Sequence, residues 1–179
     1  MFQPDLLKGQ HILITGGGTG LGRSMALRFA GLGARLFLAG RREEPLRETA
    51  EEIRKKGGAA AWGACDVRDF AAVEKVIEQA EKEVGPVTAL VNNAAGNFVC
   101  PTERLSPNAF ASVVGIVLQG SFHATLALGR RWIQAKRPGT VLNILTTYVW
   151  TGSGFVVPSA CAKAGVLALT RSLAVEWAR

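Results

Sequence analysis

Five glycines crowd the stretch Thr15-Gly16-Gly17-Gly18-Thr19-Gly20-Leu21-Gly22, where an apolar run, His11 to Thr15, gives way to a helix-length segment from about Gly20 to Gly33. A glycine-rich turn between a strand and a helix lets backbone N–H groups and the positive end of the helix dipole face an anion. The spacing Gly16-x-x-x-Gly20-x-Gly22 departs from the commoner G-x-G-x-x-G fingerprint, so its specificity comes from the strand before it and the helix after it.

The alternation begun there continues along the chain. Arg35 to Ala39 reads as a second strand, Glu43 to Lys56 as a helix, Ala59 to Cys65 as a third strand and Phe70 to Val84 as a helix. Thr88 to Asn92 and Thr140 to Leu145 read as the fourth and fifth strands. Such a βαβα series predicts an α/β fold: a doubly wound parallel sheet of the Rossmann type, in three αβα layers. Ser106-Pro107 supplies an N-cap and a first helical position for a long helix to about Lys136, apolar nearly all round over Ala111 to Leu128. That helix is expected to be buried on two sides, against its own sheet and against a neighbouring subunit or, in a monomer, a deep core. Ala160 to Arg179 reads as a last helix. No linker or repeat divides residues 1–179, which are expected to form one domain.

At 179 residues and 48% hydrophobic, the chain is long and apolar enough for a real core. Its net charge of +7 is scattered among acids, as in Glu51-Glu52-Ile53-Arg54-Lys55-Lys56, which argues against nucleic-acid binding and suits phosphate-rich small molecules. Cys65, Cys100 and Cys161 form no CxxC pair, fitting a reducing compartment, and no metal site is visible. Met1 to Gln10 carries no readable address, and no apolar run is read as long and unbroken enough to span a membrane. The expectation is a cytoplasmic protein without membrane insertion.

The end of the second strand selects the cofactor. An NAD-specific protein places an acid there, whereas this chain has Gly40-Arg41-Arg42, and two guanidiniums suit the 2′-phosphate of NADP; the other reading is a pair of solvated residues before a helix. Cys65-Asp66-Val67 ends the third strand, where an aspartate can accept from an adenine amino group, and Asn92-Asn93-Ala94-Ala95-Gly96 ends the fourth. The cofactor-binding set is therefore Gly16, Gly18, Thr19, Gly20, Leu21, Gly22, Arg41, Arg42, Asp66, Val67, Asn93 and Ala94.

In these segments, and in Ala162-Lys163-Ala164-Gly165, the chain resembles the short-chain dehydrogenase/reductase family. The family's usual asparagine, serine, tyrosine and lysine fall by spacing on Val117, Thr146, Ser159 and Lys163, so only the lysine is intact. The proton relay of ordinary carbonyl reduction is thereby removed. One branch departs in the same way. The runs Asn93 to Phe98, Pro101 to Ala109 and Thr151 to Ala160 are similar to those of the mitochondrial-type NADPH-dependent 2,4-dienoyl-CoA reductases.

That resemblance implies catalysis by Tyr148 and Asn97, assistance from Ser159, a nicotinamide ribose held by Lys163, and a fatty acyl-CoA substrate near Arg68, Phe98 and Ser106. It also implies a homotetramer and a longer protein, with a sixth strand, a substrate loop and a seventh strand after Arg179, so that this chain is truncated. Chemically, hydride addition to the far end of a conjugated dienoyl thioester drives charge onto the thioester oxygen, where a phenol and an amide can form an oxyanion site. Plainer roles exist too: Tyr148 packing beside Trp150, Asn97 capping a turn, Ser106 capping a helix. Two other functions stay open, a generic family oxidoreductase acting on a carbonyl or trans-2-enoyl thioester, and a catalytically inactive NADP-binding scaffold.

Overall fold

The computed structural model describes residues 2–178. Five strands, β1 (His11–Thr15), β2 (Arg35–Gly40), β3 (Ala59–Ala64), β4 (Ala89–Asn92) and β5 (Thr140–Asn143), form one parallel sheet in the order β3-β2-β1-β4-β5. Strand order reverses at β1, which lies between β2 and β4, so the crevice at its carboxyl end is the natural ligand site of such a sheet.

The two-residue repeat of a strand explains the layering. Leu13 and Phe37 face one side of the sheet and pack with Val73, Ile77 and Leu128 of α3 (Phe70–Val84) and α5 (Gly120–Gln134). Ile12, Ile14, Leu36 and Leu38 face the other side and pack with Ala26 of α1 (Gly20–Ala30) and with Leu46, Ala50 and Ile53 of α2 (Glu43–Lys55). Covered on both faces, β1 and β2 are buried almost without interruption, as parallel strands are. The Rossmann-type three-layer arrangement expected from the sequence is the one observed.

The long helix differs from the expectation in two ways. It is α4 (Pro107–Val114), a π-helical segment (Gly115–Gln119) and then α5, and not one regular α-helix. Glycines flank the irregular turn, and a Cβ on Gly120 would lie 2.5 Å from Val67 Cγ2, so the small residue lets the helix dock on the β3–α3 connection. In addition, Pro107–Gln134 is long and apolar enough to cross a membrane by length and composition, which corrects the sequence expectation. Half of its most apolar window is buried inside the protein, where Val113, Val117, Ala124 and Leu128 join the core, so that apolar surface serves packing.

The end of the chain also departs from the expectation. After β5 the chain forms a one-turn helix, α6 (Tyr148–Thr151), which no periodicity in the sequence announces. The last helix, α7 (Val157–Glu176), starts three residues before Ala160, with Pro158 in its first turn, a position where a missing N–H costs nothing.

Candidate functional site

The sheet order gathers the ends of β1, β2, β3 and β4 around one cleft of about 240 Å³. Its wall carries Gly16 and Thr19 of the glycine turn, Arg41 and Arg42 after β2, Asp66 and Val67 after β3, and Asn93 and Ala94 after β4. Gly16 has φ +67, and a side chain there would press within 3.0 Å of Asn93 Nδ2, so glycine is required for both conformation and space. Asn93 Nδ2 donates to the carbonyls of Thr15 (3.0 Å) and Gly16 (3.1 Å), and Thr15 Oγ1 accepts from the N–H groups of Asn93 and Ala94. The end of β4 thus holds the glycine turn in shape.

Gly18 and Gly22 act beneath the turn. A Cβ on Gly22 would lie 2.2 Å from the Gly16 carbonyl oxygen, and one on Gly18 2.8 Å from the Leu46 backbone nitrogen. Gly20 and Leu21 are exposed at the start of α1.

Three features make this cleft receptive to an anion. The α1 N-terminus has no side-chain cap and no acid in its first turn, whereas α3 and α4 are capped by Asp69 and Ser106. Arg41 and Arg42 are exposed on its wall, and among the described residues neither forms an ion pair. Asp66 remains ionised, because the Arg68 side chain hydrogen-bonds it from Nε (3.0 Å) and Nη2 (2.5 Å) and holds its carboxyl below the usual range. Cys65, also on the wall, is pushed up to about 11 by burial and stays a neutral thiol. These residues fit a dinucleotide.

A second group of polar side chains lies on α6 and α7. Tyr148 Oη and Ser159 Oγ are 2.7 Å apart. Ser159 and Lys163, both about 5% exposed, are four residues apart on α7 and so project from one face. Lys163 Nζ donates to the Ile144 carbonyl; burial, the sole cause, pushes its pKa below the ordinary lysine range. The early start of α7 is what brings Ser159 into this alignment. Asn97 is exposed, and its Oδ1 accepts the Phe98 N–H at 3.0 Å, which orients the amide and leaves Nδ2 as a free donor end. Cys100 N–H donates to the Phe155 carbonyl at 3.0 Å and joins the segment after β4 to the segment after α6.

Over residues 10–179 the chain matches the model for short chain dehydrogenase. It belongs to that family. A probable 2,4-dienoyl-CoA reductase [(2E)-enoyl-CoA-producing] of Bacillus subtilis is 48% identical over 93% of this chain and 65% of the relative. A probable 2,4-dienoyl-CoA reductase 3 [(3E)-enoyl-CoA-producing] of Caenorhabditis elegans is 47% identical over 97% of this chain and 57% of the relative. Among solved structures, a short chain dehydrogenase from Bacillus anthracis superposes with a TM-score of 0.88 at 46% identity, over 93% of this chain and 69% of that one. The chain spans 57% and 65% of the two curated relatives' lengths.

Within this dehydrogenase fold, Val117 is fully buried among Val113, Ala162 and Val166, an apolar packing position. Arg68 and Ser106 are engaged locally, the first on Asp66 and the second as the α4 cap, accepting the Ala109 N–H at 3.1 Å. Phe98 is 49% exposed. Sequence reasoning missed Ile116, which reaches the cleft wall from the π-helical segment, and had no signal for it because a regular helix was expected. It also assigned no role to Thr146, two residues before Tyr148, whose buried Oγ1 has no hydrogen-bond partner among the described residues. An orphaned buried hydroxyl is a group that a bound ligand can satisfy.

Proposed function

We propose that the protein is an NADPH-dependent reductase of unsaturated fatty acyl-CoA thioesters, converting a 2,4-dienoyl-CoA to a 3-enoyl-CoA. The observation that carries this reading is the Tyr148–Ser159 hydrogen bond, with Lys163 one turn further along α7. A phenol delivered from α6, and a serine where the phenol of a carbonyl reductase would stand, suits charge that develops on a thioester oxygen.

When bound, the nicotinamide supplies a hydride. The residues of this chain do the rest. Arg41 and Arg42 meet the 2′-phosphate, and the uncapped start of α1 meets the pyrophosphate. Lys163, anchored on Ile144, holds the ribose and keeps positive charge near the reacting centre. Either hydroxyl can donate in the Tyr148–Ser159 bond; with Ser159 as donor the phenolic proton is free for the thioester oxygen, and Asn97 Nδ2 supplies a second donor.

Hydride addition at the δ carbon pushes an electron pair through the double bonds to that oxygen. Protonation of the dienolate at the α carbon gives the 3-enoyl product, and protonation at the γ carbon gives the 2-enoyl product. The names of the two relatives differ on this point. With the phenol and the amide assigned to the oxygen, the proton for the α carbon comes from water in this reading. The (3E)-producing relative supports that choice.

The test is NADPH oxidation by the full-length protein with a 2,4-dienoyl-CoA, a 3-ketoacyl-CoA and a trans-2-enoyl-CoA, with NADH as the control and products identified by mass and double-bond position. Turnover confined to the dienoyl substrate, a preference for NADPH, and a fall in kcat of about 10²–10³ in Tyr148→Phe are expected. Turnover of the keto substrate that survives the mutation would sink the proposal, and NADPH binding without turnover would support a scaffold.

A further inference from the structure

Phe155 has a left-handed backbone, φ +67, which is rare for a bulky L-residue and which glycine or asparagine would adopt more readily. Its aromatic side chain is not what holds it there, since the residue is 57% exposed. The turn instead aims the Phe155 carbonyl at the Cys100 N–H, 3.0 Å away. Among the described residues this is the one backbone hydrogen bond between the Asn93–Cys100 segment and the Gly152–Val156 segment.

The two segments carry different halves of one proposed site. Asn97 lies three residues before Cys100, and Tyr148 lies on the short helix that leads into Gly152. Tyr148 is held from its other side by Ser159, whereas among the described residues the only side-chain bond of Asn97 is to its neighbour Phe98. The position of Asn97 relative to the phenol therefore depends on the Cys100–Phe155 contact. Both segments also expose apolar side chains, Phe98 (49%) and Val99 (80%) on one and Trp150 (62%) and Phe155 on the other. An acyl thioester lying across them would touch both.

We infer that Phe155 is a positioning residue: its left-handed turn latches the Asn97 segment to the Tyr148 segment and so sets the spacing of the two oxyanion donors. This rests on the reading above that Asn97 and Tyr148 hold the thioester oxygen. What the latch requires at position 155 is a backbone conformation, so kcat must follow left-handed tolerance and not ring size.

The experiment measures kcat, KM and NADPH affinity in the full-length protein. Phe155→Asn, which tolerates the turn, keeps kcat within about 3-fold of wild type, whereas the β-branched Phe155→Val loses about 10-fold or more. NADPH affinity is unchanged in both, because neither Cys100 nor Phe155 lines the cofactor cleft, and Asn93 and Ala94, which do, are held separately by Thr15. In an Asn97→Ala background, Phe155→Val costs less than about 2-fold further, since its effect runs through Asn97.

Should Phe155→Val fail to fold, Phe155→Gly and Phe155→Ala carry the test. Both remove the ring, and Gly is expected to exceed Ala in kcat by about 3- to 5-fold. The latch is overturned if Val matches wild type, if Asn is as damaging as Val, if Gly and Ala are equal, or if the Val and Asn97→Ala losses multiply in full. Those results, with Tyr148→Phe and Asn97→Ala still crippling, refute the latch alone; if Tyr148→Phe and Asn97→Ala are both harmless, the oxyanion reading falls and the latch with it.

Discussion

The cofactor half of the sheet and its β5 side are built differently. β1 and β2 are each covered by helices on both faces and paired on both edges, and Leu13, Ile14, Leu36, Phe37 and Leu38 have almost no exposure. β5 pairs, among the described residues, only with β4; all four of its residues are at least partly exposed, and Leu142 is 44% exposed. Beside it lies a groove of about 730 Å³ whose walls include Val141, Trp132, Leu173 and Trp177. At Gly16, Gly17, Gly18 and Gly22 the glycine turn has no room for a Cβ, each meeting a neighbour within 3.0 Å, while Gly152 to Phe155 are exposed and bend through positive φ at Gly152 and Phe155. The cleft at the glycine turn is thus fixed by local packing, and the proposed reactive group of Tyr148, Ser159 and Lys163 depends on a few specific hydrogen bonds between separate segments.

The largest test of this contrast is a pair of truncations. Phe37→Ala is expected to cost about 3–5 kcal/mol in urea unfolding, because the cavity is closed in on both sides. Leu142→Ala, half in solvent, should stay within about 0.5 kcal/mol. Equal costs would break the comparison.

A smaller effect, of about 1–3 kcal/mol, is expected for Gly22→Ala, whose new methyl meets the Gly16 carbonyl and Asn93 Nδ2. NADPH affinity should fall with it, and binding at wild-type strength would mean that the turn has slack after all.

The smallest effect is a pH dependence. Burial lowers the Lys163 pKa from its ordinary 10.5, so the folded state binds its proton less readily than the unfolded state. The resulting stability penalty is present in full below the folded pKa and vanishes above 10.5. Urea midpoints of wild type relative to Lys163→Met should therefore climb with pH through that window and be flat below it. A difference that declines with pH would show that Lys163 is held by a charge partner in solution.

Much of the cofactor half was legible in the sequence because its signals are local. The glycines of the turn, the basic pair after β2 and the alternation of strand and helix all lie within short windows, and the observed strands differ from the expected ones by only a residue or two at their ends. Less of the reactive half was legible. Tyr148, Ser159 and Lys163 stand out as residue types, but the helix that carries Tyr148 and the early start of α7 depend on contacts with other segments. The π-helical segment was invisible for the same reason: apolar periodicity predicts a helix, while docking of Gly120 on Val67 shapes the irregular turn.

The sequence by itself determined the layered sheet, the glycine turn after β1 and the membership of the short chain dehydrogenase family, because hydrophobic period and glycine sterics act over a few residues. Only the tertiary structure decided which polar groups meet. The 2.7 Å approach of Tyr148 to Ser159, the burial that lowers the Lys163 pKa and the bond from Cys100 to Phe155 all join residues through space, where side-chain reach and desolvation set the outcome and chain order does not.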